Sequence, residues 1–147
     1  MRILLAVDDS KFSEAATQAL IAQARPNGTE VQLLHVVEPI RRTYLGAEGA
    51  YDIDWPALDE EHRKQGKALV ERTAKALQAA GFKVTTVVQE GDARSQILDA
   101  ATKWPADLVI VGSHGRKGLN RFFLGSVSEA VARHASCSVE IVRLSRG

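Results

Sequence analysis

The hydrophobic positions of the chain follow two alternating periods, one typical of strands and the other of helices. Five short segments are rich in valine, isoleucine and leucine and are bounded by polar or turn-forming residues, which predicts strands. The first and fourth segments are nearly continuous apolar runs, as expected for central strands of a parallel sheet that is covered on both faces. The five predicted strands span residues 2–7, 30–37, 83–89, 106–112 and 138–144.

Apolar stripes with helical spacing lie between these strands and predict four amphipathic helices. Gly81 is placed to follow the second helix, and Asp92 and Pro105 are placed to begin and end the third. The residues of the four stripes are Phe12, Ala16, Ala19, Leu20 and Gln23; Leu69, Thr73, Ala76, Leu77 and Ala80; Ile97, Leu98, Ala101 and Trp104; and Val127, Ala130 and Val131.

Repeated alternation of strands and helices predicts an α/β fold with a single open five-stranded parallel sheet and helices on both faces. No internal repeat or linker divides the chain, so residues 1–147 are expected to form one domain, a usual size for one hydrophobic core. The connection 38–56 has no clear period. A connection of this length is either a functional lid or a variable surface loop.

Composition narrows the possible partners and the compartment. The formal net charge is +1, so no overall field favours nucleic acid or an anionic membrane, and any anion site must be local. A lone cysteine, Cys137, can form neither an intrachain disulfide nor a cysteine-based metal cluster. The apolar run 3–7 is too short for a signal peptide or a membrane span. The sequence therefore predicts a cytoplasmic protein without a membrane or nucleic-acid partner.

The candidate chemistry lies in the glycine-rich loop that follows the fourth strand. Ligands of open α/β sheets bind beyond the carboxyl ends of the strands, where the strand order reverses. Gly112 and Gly115 lack Cβ, so they can adopt a positive φ and admit a ligand close to the backbone. Gly125 and Ser126 open the last helix, whose N–H groups suit a phosphate. Alternatively, these glycines only form turns, and Ser126 begins a capping box with Glu129.

Other nucleotide and catalytic motifs do not fit the chain. The P-loop pattern is missing, and the first strand-to-helix turn contains no glycine, which disfavours a dinucleotide site. Ser113 and His114 near Asp8 suggest a hydrolase only superficially, because adjacent residues of a tight loop rarely point at each other. His35 lies in an apolar strand and is interpreted as a hydrogen-bonded structural histidine.

Several motifs together resemble the universal stress protein family. They are the spacing Gly112-x2-Gly115-x9-Gly125-Ser126, the opening ILLAVDDS, the second-strand LLHVVE and the helix entry EGDARSQIL. The resemblance covers essentially the whole chain. It implies strand order 3-2-1-4-5, a homodimer paired through the last strand, and an ATP site supplemented by Mg²⁺.

The resemblance also implies roles for individual residues. Ala6, Asp8 and Val36 would surround adenine and ribose, and Val111 and Gly112 would border the nucleoside. The remaining residues would hold the ribose and phosphates, largely through backbone N–H groups and the Ser126 hydroxyl: Gly115, Gly125, Ser126 and Val127.

Two residues depart from the family pattern. Asp9 stands where the family often has glycine, so a second carboxylate lies near the site and either assists a divalent cation or faces solvent. Glu140 interrupts the apolar last strand. Two Glu140 side chains meeting across a two-fold axis would repel each other unless Arg143 or Arg133 paired with them.

The expected function is that of an ATP-binding stress-response regulator whose nucleotide-bound state is recognised by an unidentified protein partner. At most weak ATP hydrolysis is expected. One alternative is a slow Mg²⁺-dependent ATPase or autophosphorylating enzyme that uses Asp8 and Asp9. Another is a protein-interaction module whose nucleotide pocket no longer binds.

Overall fold

The five predicted strands form one parallel sheet in the computed structural model, which describes residues 1–39, 53–115 and 123–144. Four helices accompany the sheet in these described ranges. The strands are β1 (Arg2–Ala6), β2 (Glu30–Val37), β3 (Lys83–Glu90), β4 (Leu108–Gly112) and β5 (Ser138–Val142). The helices are α1 (Lys11–Gln23), α2 (Trp55–Ala79), α3 (Ala93–Lys103) and α4 (Ser126–His134).

The strand order is β3-β2-β1-β4-β5, which confirms the predicted topology. β1 pairs with β2 on one side and with β4 on the other, where Ile3 lies opposite Leu108 and Leu5 opposite Ile110. The order therefore reverses between β1 and β4, and the carboxyl ends of these two strands adjoin. This is the position at which open α/β sheets bind ligands.

Side chains of the sheet divide between two apolar cores because successive strand residues point to opposite faces. Ile3 and Leu5 belong to the core that packs against α1 and α2, and Leu4 and Ala6 to the core that packs against α3 and α4. Helices cover both faces, as predicted. Among the described residues, no helix combines the length and the apolar character needed to cross a membrane.

The predicted helix ends are confirmed where the signal is local. Asp92 caps α3 by accepting the Ser95 N–H at 3.1 Å. Gly81 follows the last turn of α2 with φ +97°, a conformation that favours glycine. The connection predicted over residues 38–56 ends earlier than expected, because Asp54 is the N-cap of α2 and Trp55 and Pro56 are the first residues of that helix. Residues 40–52 of this connection lie outside the described residues.

The apolar stripe predicted for α2 is wrong in detail. The residues that face the sheet include Gly66 and Ala74, whereas Ala76 is exposed. The helix lies so close to β2 that a Cβ on Gly66 would be 2.6 Å from Cδ2 of His35. Small residues make this approach possible, and a search for large apolar side chains does not detect them. Similarly, α1 buries Ser13 and Thr17.

Candidate functional site

The carboxyl ends of β1 and β4 place Asp8 beside the glycine-rich loop. Asp8 lies in the turn from β1 to α1, and Gly115 lies three residues beyond the end of β4. A Cβ on Gly115 would be 3.0 Å from Oδ2 of Asp8. The predicted juxtaposition of the first and fourth strand ends therefore brings a carboxylate to the backbone of this loop.

The Asp8 carboxylate is held in a fixed orientation by the start of α1. Its Oδ1 accepts hydrogen bonds from the Ser10 N–H and the Ser13 hydroxyl, both at 2.9 Å. The Ser13 oxygen in turn accepts the Asp8 N–H at 2.8 Å. These bonds involve Oδ1, so Oδ2 is directed towards Gly115. Sequence reasoning missed Ser13, which is buried and lies five residues after Asp8.

An apolar wall lies on the α3 and α4 side of the sheet, near the same strand ends. Ala6 and Val111 are buried there, and Val36 and Val127 are partly buried against the same core. All four were identified from the sequence. The structure therefore places three residues predicted to surround the nucleoside, Ala6, Val36 and Val111, on the same face of the sheet as Val127.

The N-terminus of α4 differs from those of the other three described helices. Ser10, Asp54 and Asp92 each accept an N–H of the helix that they precede. The N-cap of α4 is Gly125, which has no side chain to do this. The first N–H groups of a helix have no intrahelical acceptor. At α4 these groups, which include those of Ser126 and Val127, are thus not capped by the preceding residue.

The alternative interpretation of Ser126 as a helix cap is wrong. Ser126 is the first residue within α4, one position too late to be the N-cap. The hydroxyl of Ser128 instead fastens this turn by donating to the carbonyls of Ser113 and Gly125, at 2.9 and 3.0 Å. The sequence pattern alone could not reveal this contact, because Ser113 lies on a different element.

Neither Gly112 nor Gly115 uses the positive φ that glycine permits. In the described residues positive φ occurs only at other positions. Gly112 is required by close packing, since its Cβ would lie 2.8 Å from the carbonyl carbon of Phe12. Gly125 is similarly confined, with a Cβ that would be 3.1 Å from Cα of His114. Only Gly115 borders the Asp8 carboxylate.

Ser113 and His114 do contact each other, contrary to expectation. Nδ1 of His114 lies 3.0 Å from the Ser113 hydroxyl oxygen, and Nε2 bonds to the carbonyl of Phe123. A carbonyl only accepts, so Nε2 carries the proton and Nδ1 accepts from the hydroxyl. Both ring nitrogens are therefore engaged in structural bonds, and this pair does not form a hydrolase site with Asp8.

The remaining titratable groups offer little chemistry. His35 donates from Nδ1 to the Val7 carbonyl at 2.8 Å, which confirms its structural role. Burial raises the pKa of the Cys137 thiol, with a smaller contribution from Asp107, so this thiol is not activated. No cluster of three or more His, Cys, Asp or Glu residues suited to a metal occurs in the described part of the chain. Asp9 is exposed, and the basic residues of the glycine-rich loop lie outside the described residues: Arg116, Lys117 and Arg121.

Two surface depressions lie away from these strand ends. One, of about 360 Å³, runs between α2 and β3 and contains the ion pair of Arg63 with Glu90. The other, of about 540 Å³, lies near Gly28 and Lys83 at the amino ends of β2 and β3. Neither presents the start of a helix to a ligand. The chemistry therefore favours the β1 and β4 ends, away from these two depressions.

Comparison with known proteins gives the same family as the residue motifs. The model of the universal stress protein family matches residues 1–143. Universal stress protein MJ0531 of Methanocaldococcus jannaschii is 32% identical over 142 residues, which cover 97% of this chain and 81% of that protein. The solved structure of hypothetical protein MJ0577 has a TM-score of 0.86 at 28% identity, covering 99% of this chain and 97% of the other.

A family protein from Arabidopsis thaliana, solved with AMP bound, has a TM-score of 0.72. Its identity is 21%, and the match covers 99% of this chain and 92% of that one. At this identity, the comparison shows a common fold.

Proposed function

The chain belongs to the universal stress protein family, and we propose that it is a regulatory protein that binds ATP at the carboxyl ends of β1 and β4. The observation that carries this proposal is the start of α4. Its N-cap is Gly125, which provides no side-chain acceptor, and it lies at the sheet position where the strand order reverses. Unpaired N–H groups and the positive end of the helix dipole favour a phosphate there.

The nucleotide would lie with its phosphates on the backbone of Gly115, Gly125, Ser126 and Val127. Each N–H group that donates to a charged phosphate contributes about 1.5–3 kcal/mol. The close approach of Gly125 to the His114 backbone holds the helix start near this loop. The Ser126 hydroxyl, which is not the helix cap, is available as a further donor.

The nucleoside would occupy the space between Asp8 and the apolar wall. Ala6, Val36 and Val111 supply apolar surface for the base, and Gly112 borders it. Asp8 is suited to accept ribose hydroxyl groups, because Ser10 and Ser13 fix its Oδ1 and leave Oδ2 on the loop side. The AMP-bound Arabidopsis protein has this fold, which supports an adenine nucleotide as the ligand.

Mg²⁺ would accompany the triphosphate. Carboxylate oxygens and phosphates are its usual ligands, and the turn after β1 supplies the exposed carboxylate of Asp9. This carboxylate would join a coordination sphere completed by phosphate and water. Both ring nitrogens of His114 are engaged in hydrogen bonds, which does not favour a role in activating an attacking water. Binding is therefore favoured over hydrolysis or autophosphorylation.

Two copies would pair through β5, an edge strand of the sheet. An antiparallel pair with a two-fold axis places one residue opposite its own copy. A register centred on Ile141 would set Glu140 opposite Val142 and avoid repulsion between two carboxylates. Glu140 already accepts a hydrogen bond from Gln23 of its own chain, and Arg133 pairs with Glu129. Sedimentation equilibrium should give a two-copy mass, and a monomer mass at high concentration would contradict this pairing.

Thermal unfolding with excess MgATP tests the proposed function. A ligand that binds only the folded state raises the melting temperature, so the purified chain should be stabilised by ATP. Gly115→Val should abolish the shift, because its side chain would fill the space beside Asp8. Unchanged melting of the wild type would argue against ATP binding and favour an interaction module. Phosphate released from labelled ATP, and lost in Asp8→Asn, would instead support an ATPase.

A further inference from the structure

His114 lies near the start of the connection from β4 to α4, and its ring bonds to residues near both ends of that connection. We propose that it is a positioning residue that sets the start of α4 against the Asp8 turn and so aligns the phosphate-binding N–H groups. This inference rests on the proposed nucleotide site. His114 itself need not contact the nucleotide, since its part is to hold the elements that do.

The imidazole joins residues near the two ends of this connection. Nε2 donates to the carbonyl of Phe123, two residues before the N-cap Gly125, while Nδ1 accepts from the Ser113 hydroxyl at 3.0 Å. Nε2 must carry a proton, because a carbonyl cannot donate, whereas the Ser113 hydroxyl can donate to Nδ1 of a neutral ring. One side chain thus joins residues 113 and 123, which are separated by a glycine-rich stretch of chain.

Hydrogen bonds to the backbone of Ser113, the residue before His114, also connect the end of β4 to α4. The Ser113 carbonyl accepts the Gly125 N–H at 2.8 Å and the Ser128 hydroxyl at 2.9 Å. Ser113 and Ser128 are each only 2% exposed, so water does not readily replace these partners. The first turn of α4 is therefore located relative to β4 by contacts on both sides of His114.

The ring also contacts α1, the other helix that begins at the site. Its centroid lies 5.1 Å from that of Phe12, with the planes inclined by 49°. Phe12 is the second residue of α1, and its backbone packs against Gly112. His114 therefore connects the helix that orients Asp8 with the helix whose N–H groups would face the phosphates.

Calorimetric titration of the nucleotide-free full chain with ATP and with AMP tests this role. His114→Ala removes both ring bonds, whereas His114→Gln keeps an N–H that can reach the Phe123 carbonyl. We expect His114→Ala to weaken ATP binding by about tenfold, the effect of losing one hydrogen bond between a misaligned N–H group of α4 and the phosphates. AMP, which has fewer phosphates, should be affected less. His114→Gln should recover most of the loss, and His134→Ala, at the exposed end of α4, should bind as the wild type.

A purely structural role predicts a different result. His114→Ala would then lower the affinities for ATP and AMP equally, and Gln would restore nothing; either result would overturn the proposal.

Amide hydrogen exchange of the protein without nucleotide keeps this inference separate from the proposed function. We expect the Gly125 amide to be protected in the wild type and to exchange at least tenfold faster in His114→Ala, while β1 amides remain unchanged. Equal exchange in the two proteins would refute the positioning role even if ATP binds. If the wild type does not bind ATP, the proposed function is wrong, but the exchange result still shows whether His114 positions α4.

Discussion

Gly112 and Gly115 belong to the same motif, but the structure predicts opposite consequences for replacing them with alanine. At Gly112 a Cβ would lie 2.8 Å from both the carbonyl carbon and Cβ of Phe12, and 2.9 Å from its oxygen. Two of these atoms are backbone, so a rotamer change cannot relieve the overlap. At Gly115 the single close contact is Oδ2 of Asp8, at 3.0 Å.

The expected magnitudes follow from these contacts. Overpacking destabilises the folded protein by about 1–3 kcal/mol. Replacing glycine by alanine at a permitted φ stabilises it by about 0.4–1 kcal/mol, because alanine lowers the conformational entropy of the unfolded chain. Gly112→Ala should therefore lower the free energy of unfolding by about 1–2 kcal/mol. For Gly115→Ala the two effects nearly cancel, so its stability should change by less than about 0.5 kcal/mol.

Urea unfolding of the nucleotide-free protein, followed by circular dichroism, measures both changes. Equal m-values would show that the two variants expose the same surface on unfolding, so that their midpoints can be compared directly. The reasoning fails if Gly112→Ala is as stable as the wild type, or if Gly115→Ala is the less stable of the two. Gly115→Ala should nevertheless weaken ATP binding, because the added methyl group enters the proposed ligand space.

Three further substitutions test contacts that stabilise the fold around the site. Asp92→Ala should cost about 1 kcal/mol at neutral pH. The hydrogen bond from the Ser95 N–H is the main cause of the lowered pKa of Asp92 in the folded protein. The stabilisation by this cap is therefore fully present above the pKa of Asp92 in the unfolded chain. In urea titrations it should disappear as the pH falls through the folded pKa. Gly66→Ala should lower the urea midpoint despite the helix preference for alanine, since its Cβ would lie 2.6 Å from His35. Ser128→Ala should cost about 1 kcal/mol in the same assay by removing the bond to the Ser113 carbonyl.

Much of the fold could be predicted because its signals are local. Strand runs, the cap Asp92 and the glycine after α2 depend on neighbouring residues, and the structure agrees at each. The face of α2 could not be predicted from large apolar residues, because Gly66 and Ala74 permit the helix to approach the sheet. Its packing depends on how closely two elements meet, which spacing along one element does not reveal.

In the candidate site, too, features with local sequence signals could be predicted and contacts between distant elements could not. Asp8, the glycines and the apolar wall could be located from motif and topology, because neighbouring parallel strands end at one edge of the sheet. The contact between Ser113 and His114 was not predicted, since it forms only when Phe123 is brought back to the same place. Likewise, the role of Ser128 depends on a carbonyl from another element. The family resemblance identified the residues of the motif but not the bonds that support them.

Ser126 offers the most direct test of ATP binding at the start of α4. Proline is well tolerated as the first residue of a helix, and the extended Gly125 before it (ψ 157°) suits a following proline. Ser126→Pro therefore removes one N–H and the hydroxyl while preserving α4, and Ser126→Ala removes the hydroxyl alone. In calorimetric titrations with MgATP, we predict that Ser126→Pro binds at least about tenfold more weakly than Ser126→Ala, with both variants melting as the wild type does. Equal ATP affinity in the two folded variants would contradict the central claim.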